Sequence, residues 1–410
     1  MRQGTVKHKK DILFLCQFFY PEYISSATLP FDTALALKKA GFSVDALCGY
    51  PREYAEKEQV PLRETVDGIG IRRVKYIQTG RKNFLGRLIN YFSFTFMIFL
   101  QLFQLADYRA VVVYSNPPIL PWIASWAKAL FGTKLIFVAY DLYPEIAVNT
   151  GTLGDSSIIS RLMRYINKRV FRRADGVVAL SEEMKTYILE NRESPEEKVF
   201  VIPNWYEDRQ NREVEENPFR DLVGDRFTVS YFGNMGTAQD MQTILDGMRL
   251  LKNDPGFCFL FAGHGNKSQW LRETIAREGI ENAYFYEFLK GQDFRNALAV
   301  SDCALVSLER GLTGLCVPSK TYSYMMQGIP LLAIMDAGDI TADIEAGAGR
   351  WVSNGEGALL AEHIRNMAAD PALHSRMRDV CRRIYLEKYT TEICTAQYVS
   401  LMQTLLGDTK

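Results

Sequence analysis

Short apolar runs of β-forming residues, each followed by a stretch of helical pattern, recur along the whole 410-residue chain, and this alternation constrains the fold more than any other feature. The first half carries DILFLCQF, FSVDALCGY, AVVVYS, KLIFVAYD, GVVALS and VFVIPN, with a helix expected over 28–40 that ends at Gly41. A charged stretch poor in aliphatics, NWYEDRQNREVEENPFRDLVGD, then reads as a linker. The pattern restarts with FTVSYFG, FCFLFAG, AYFYEFL, CALVSL, PLLAIM and RWVS. Runs of this kind joined by helices predict parallel strands in βαβ units. Two sets predict an α/β protein with two doubly wound parallel sheets, which suits a length that one core rarely serves.

Composition removes several function classes. The 48 Lys and Arg balance 48 Asp and Glu, which argues against a general nucleic-acid binder, although residues 1–110 lean basic with 16 cations to 10 anions. Seven cysteines show no CxxC pair, and none has histidine companions at metal-ligand spacing. Several lie inside apolar runs, where cysteine acts as a small hydrophobe, and this predicts a reduced, cytoplasmic chain. The basic then apolar N-terminus stops at Tyr20-Pro21-Glu22 without a small-residue cleavage site, so a first strand is expected there.

Doubly wound sheets bind ligands beyond the carboxyl ends of their strands, which directs attention to strand-to-helix loops. FGNMGTAQDM (232–241) offers Gly233 and Gly236, whose backbone N–H groups would approach a phosphate, and FAGHGNKSQW (261–270) repeats the arrangement. GIGIRR (68–73) leads into a strand-like run and is a decoy. In GLCVPSKTYSYMMQGIP (314–330), Pro318 and Ser319 suit the entry to a helix, and Lys320 falls in its first turn. The helix dipole disfavours a cation there unless an anion binds; a Pro/Ser cap with a solvent-facing lysine is the alternative. YDLYPE (140–145) puts Asp141 at the end of a strand, where Asp141 and Glu145 serve either catalysis or the cap and dipole of the next helix.

These loops and the runs between them, in order, resemble retaining glycosyltransferases of family 4. The resemblance is to the bacterial branch that builds capsule, colanic acid and O-antigen polysaccharides. It rests on FYPEYISSATLPFDTALALKKAGFSVDAL, YSNPPILPWIASWAKALFGTKLIFVAYDLYPEIAV, RRADGVVALSEEM, KVFVIPNWYE, YFGNMGTAQ, FAGHG, FYEFLKGQDF, SDCALVSL and VPSKTYSYMMQGIPLLA, which cover nearly the whole chain. The resemblance implies a GT-B fold, two Rossmann-like domains facing across a cleft. Residues 1–205 would bind the acceptor, 206–385 the nucleotide sugar, and 386–410 would form a helix crossing back to the first domain. It implies transfer of a hexosyl or N-acetylhexosaminyl unit from a nucleotide-diphosphate sugar, UDP before GDP, to a saccharide on polyprenyl diphosphate. Configuration would be retained by same-side displacement, with no cofactor and no bound metal.

Residue by residue, the resemblance places Gly233, Asn234, Gly236, Gly263, His264, Ser319 and Lys320 around the donor, with Phe288 and Leu289 near its base. Pro21, Glu22, Ser25 and Ser26 fall in the first strand-to-helix turn on the acceptor side, Glu22 being otherwise a surface carboxylate. Asp141 would accept a proton or orient the acceptor hydroxyl. The chain departs from the family at three points: Tyr140 stands where many relatives have His or Arg, and Leu315 and Ser323 stand where they have glutamates, the second of which binds ribose. Serine keeps hydrogen bonding without the charge, and the nearby Glu309 either reaches sugar or nucleotide or is an ordinary loop carboxylate. A nucleotide-sugar epimerase of the same fold and an inactive scaffold subunit are the alternatives.

FLGRLINYFSFTFMIFLQLFQLA (84–106) is apolar except for a stripe at 87, 90, 101 and 104, which predicts an interfacial or buried helix rather than a membrane span. SRLMRYINKRVFRR (160–173) places six cations on one broad helical face. Together they predict a peripheral protein on the inner face of the cell membrane, drawn to anionic lipid.

Overall fold

A computed structural model describes residues 9–51, 59–79, 84–207 and 216–407. The chain forms two units: Met1–Val148 with Leu153–Pro203 and Glu392–Lys410, and Asn149–Thr152 with Asn204–Thr391.

The first unit holds β1 (Lys10–Cys16), β2 (Val44–Gly49), β3 (Arg63–Val66), β4 (Ile69–Val74), β5 (Tyr108–Tyr114), β6 (Lys134–Val138), β7 (Gly176–Ala179) and β8 (Val199–Val201). They form one sheet in the order β3-β4-β2-β1-β5-β6-β7-β8. Every pairing is parallel except β3 with β4. That hairpin was not expected from the apolar runs, because its exposed edge strand RETV is not apolar. Its turn is Asp67-Gly68, both at positive φ (49° and 78°), the conformation that a two-residue hairpin with matching twist requires.

The second unit holds β9 (Phe227–Phe232), β10 (Phe257–Ala262), β11 (Ala283–Tyr286), β12 (Cys303–Ser307), β13 (Leu331–Ile334) and β14 (Gly349–Val352), all parallel, in the order β11-β10-β9-β12-β13-β14. Numbered from its own first strand this is 3-2-1-4-5-6, the doubly wound order, whose direction reverses between β9 and β12. In the first sheet the corresponding reversal lies between β1 and β5. Aliphatic and aromatic side chains fill the space between sheets and helices, as in the second-unit cluster around Val229, Tyr231, Phe259, Phe261 and Leu305.

Three helix boundaries differ from expectation. The first helix runs Ser25–Lys39, so Ser25 and Ser26 form its first turn rather than a loop; it accommodates Pro30 inside. The apolar segment 84–106 is split into a helix, Phe84–Phe99, and a 3-10 turn, Leu102–Asp107. The last helix spans Thr391–Leu406, because residues 386–388 complete the preceding helix Pro371–Lys388. Tyr389 ends that helix, and its hydroxyl is tied to the buried Asp343 at 2.5 Å.

Candidate active site

The reversal point of the second sheet brings together the loop after β9 and the loop after β12. Lys320 opens the short helix Lys320–Met326 that follows the latter. Its stem is partly exposed, but its ammonium is buried and has no hydrogen-bond partner among the described residues. The nitrogen lies 3.4 Å from the centroid of the Tyr231 ring. A Cβ built on Gly233 would stand 3.7 Å from it, so the ammonium rests against that glycine. Burial pushes its pKa well below the ordinary lysine value. The solvent-facing lysine is therefore excluded. A cation held this way is costly unless an anion arrives, although the Tyr231 ring offsets part of the cost.

The glycines nearby do a different job from the one expected. The Gly233 N–H donates to Ala262 O at 2.8 Å and the Gly236 N–H to Gln239 Oε1 at 2.9 Å, so neither is free to cradle a phosphate in this arrangement. Gly263 sits at φ 143°, and a Cβ there would fall 1.9 Å from Gly233 O. Gly265 would likewise strike Met235 O at 2.3 Å. The two loops are packed backbone on backbone, locked by Met235 N to His264 O at 2.7 Å and Lys267 N to Met235 O at 2.9 Å.

Asn234 and His264 are exposed at the rim of this pair, and the His264 ring lies 5.9 Å from that of the exposed Phe288, centroid to centroid. Leu289 beside it is half-buried. Ser319 already has helical dihedrals and makes no side-chain cap, contrary to expectation. Ser323 is buried, and its hydroxyl donates to Lys320 O at 2.8 Å, so it points into its own helix instead of toward a ribose. Glu309 is held by Lys267 at 2.5 Å, and that ammonium also reaches Gln239 O at 2.6 Å. This bridge ties the loops after β9, β10 and β12 together.

In the first unit, the loops after β1, β5 and β6 each contain a cis proline, at Pro21, Pro117 and Pro144. Ser115 Oγ accepts from both Tyr140 N and Asp141 N at 3.1 Å, which fixes the loop after β6 on that after β5. Asp141 lines a small cavity with Ser115, Pro118, Phe137, Tyr143 and Asn167. Its carboxylate has no hydrogen bond or ion pair among the described residues, and burial raises its pKa to about 6. That value suits a group that takes a proton near neutrality. Tyr140 packs against Tyr114 with ring centroids 5.1 Å apart and the planes tilted by 49°.

Glu145 does not belong with Asp141. It is buried and paired with Arg192, itself buried, and with Arg164 at 3.4 Å. Its charge is thus consumed structurally, by a partner 47 residues away that no local pattern reveals. Glu22 is buried rather than a surface carboxylate. Arg73 donates to Tyr20 O at 2.7 Å and to Pro61 O at 2.8 Å, which orders the chain just before Pro21. Ser25 is exposed and Ser26 half-buried in a first helical turn that no side chain caps and no acidic residue occupies. Among the described residues, no group of three His, Cys, Asp or Glu side chains is placed to hold a metal ion, and no helix is long and apolar enough to cross a membrane.

Known proteins sharpen this picture. Residues 31–205 match the Glycosyl transferase 4-like domain. The glycosyltransferase WbjE of Pseudomonas aeruginosa is 29% identical over 74% of this chain and 76% of its own length. The colanic acid biosynthesis glycosyl transferase WcaI of Escherichia coli K12 is 23% identical over 48% of this chain and 49% of its own. Among solved structures, Anabaena HepE in complex with UDP superposes with a TM-score of 0.71, covering 96% of this chain and 100% of that one at 17% identity, a likeness of fold. With two parallel-sheet units, a Glycosyl transferase 4-like domain matched in the first, and one relative named for colanic acid biosynthesis, the chain has the GT-B fold and is similar to family 4-like glycosyltransferases of polysaccharide biosynthesis.

Proposed function

We propose that the protein is a retaining, metal-independent transferase that moves a sugar from a nucleotide diphosphate to a saccharide carried on polyprenyl diphosphate, at the inner face of the cell membrane. The observation that carries this reading is the buried, unpartnered ammonium of Lys320 at the reversal point of the second sheet. A diphosphate is the counter-ion it lacks. As the sugar–phosphate bond breaks, charge accumulates on the departing diphosphate, and a preorganised cation there is worth about 3–4 kcal/mol. UDP is favoured because the similar Anabaena fold carries it. His264 and Phe288 supply a flat, exposed pair of rings near which a base would lie.

Glu309, fixed by Lys267, takes the place of the absent glutamates as the donor-side carboxylate. On the acceptor side, Asp141 orients the attacking hydroxyl or takes its proton, with the leaving phosphate accepting it in a same-side displacement. The first turn at Ser25 and Ser26 faces an anion with uncapped helix-terminal groups, as the acceptor's diphosphate requires.

The test is purified protein with a panel of nucleotide sugars and a lipid-diphosphate saccharide, the product's anomeric configuration being read by NMR. Retained configuration with UDP-sugars supports the proposal. Free epimerised nucleotide sugar would make the protein an epimerase, and no donor binding at all would leave a scaffold.

A further inference from the structure

The segment 84–106 is built inside out for a water-exposed helix. Its polar stripe faces the protein: Asn90 is buried and exchanges hydrogen bonds with the backbone of Thr79 at 2.7 and 3.0 Å, and Gln104 accepts from Arg72. Arg87, also on that stripe, lies outside the described side chains. Four of its phenylalanines face out, with Phe92 60%, Phe96 58%, Phe99 39% and Phe103 79% exposed, while Phe94 is buried in the core. Phe92, Phe96 and Phe99 fall at helical spacings of four and three on one face of the helix, and Phe103 is exposed in the 3-10 turn that follows it.

The exposed face continues onto the neighbouring helix Leu120–Phe131. Phe99 lies 5.9 Å from Trp126, Phe103 lies 5.8 Å from Phe131, and Leu130 is exposed beside them. That helix packs in turn on Ile158–Arg173. There Ile158, Ile159, Leu162 and Tyr165 are exposed, so Leu162 shares the outer surface with the arginines.

The basic helix is less charged than its sequence implies. Lys168 and Arg172 share Glu193, and Arg164 is spent on Asp155 and Glu145. Arg161, Arg169 and Arg173 keep no carboxylate partner among the described residues, and Arg169 lies over the Tyr165 ring at 4.5 Å. Segments 84–106 and 120–131 contain no acidic residue. An apolar, aromatic face of this kind, without acids and edged by free arginines, matches an anionic bilayer surface in both layers of its chemistry.

We infer that this face enters a lipid bilayer by inserting the phenylalanine stripe, with hydrophobic burial as the main source of binding and the arginines adding only a preference for anionic lipid. The inference deepens the reading of a lipid-linked acceptor, on which its purpose rests. Full-length protein is sedimented with vesicles of phosphatidylcholine, with or without about 30% phosphatidylglycerol, in low and ~1 M NaCl, where screening shortens to about 3 Å.

Binding to both vesicles should survive high salt, and brominated acyl chains should quench Trp126. The triple variant Phe92→Ser, Phe96→Ser, Phe103→Ser should lose at least about tenfold in partition. Arg161→Gln with Arg169→Gln should remove only the phosphatidylglycerol increment. Melting curves control for folding, which these exposed positions should leave intact. Binding abolished by salt, or untouched in the triple variant, overturns the inference. So does self-association in solution that the triple variant abolishes while vesicles go unbound, which would assign the face to a second copy. Nucleotide binding, followed by thermal shift without vesicles, reports on the transferase reading separately.

Discussion

Lys320 shows how a candidate site residue can oppose the stability of its own fold. Its lowered pKa means that the folded state binds a proton less readily than the unfolded chain. Lys320 therefore costs stability at neutral pH, a cost relieved only as pH rises toward the ordinary lysine value. Lys320→Met should raise the melting temperature while lowering kcat by two to three orders of magnitude, on the ~3–4 kcal/mol expected of such a donor. Calorimetry of nucleotide binding in buffers of different ionisation enthalpy should show proton uptake by the wild type and none by the variant.

Asp141 titrates in the opposite sense. With its pKa raised to about 6 from 3.8, the folded state holds the proton more tightly, so its contribution to stability declines between those values as pH rises. Activity should increase through pH 6 as the carboxylate ionises. Asp141→Asn should abolish that limb of the kcat/KM profile and make the protein more stable above it. Both residues were legible in sequence as candidates, because each follows a strand end. Their burial was not legible, since it depends on Tyr231 and Ser115, residues on other strands and loops.

At the level of elements, the twelve apolar runs translate into strands, because a run buried on both faces has few other ways to satisfy its backbone. The RETV strand escaped because its alternation is polar at an edge. The glycine loops were found for a reason that the structure supplements: Gly263 and Gly265 let the second loop meet the backbone of the first. Gly263→Ala would drive a Cβ into Gly233 O, a backbone atom with no easy retreat, at a φ that alanine rarely adopts. A loss of more than about 2 kcal/mol and a weakened response to nucleotide should follow. Gly279→Ala supplies the contrast, since it too has positive φ but nothing within 4 Å. It should cost only about 1 kcal/mol, from the backbone alone. Equal denaturation midpoints for the two variants would refute the packing account.

At the scale of the whole chain, the first unit depends on a helix that follows the entire second unit in sequence. Thr391–Leu406 buries Cys394, Tyr398, Leu401 and Met402. Leu401 and Leu405 close over Gly176, where a Cβ would meet them at 3.6 and 3.3 Å. The helix ends with carbonyls that no helical N–H can reach, and two cations of the first unit take them: Arg109 donates to Leu406 O, and Lys134 to Leu405 O at 2.5 Å. Arg109 is itself paired with Asp11 at 2.8 Å on the first strand, so the capping extends into the centre of the sheet. Each large apolar side chain removed from this contact would forfeit roughly 1.5–3 kcal/mol as an upper bound. Against a typical total of about 5–15 kcal/mol, losing three or four of them is decisive. A chain ended after Thr390 should therefore show a first unit that is cleaved by protease at low temperature, while the second unit keeps its thermal response to UDP. Leu401→Ala should produce a milder form of the same split, a first-unit loss of about 2–5 kcal/mol. If the shortened chain instead unfolded with both units as stable as before, the helix would be an appendage, and the first unit would have to draw its stability from its sheet alone.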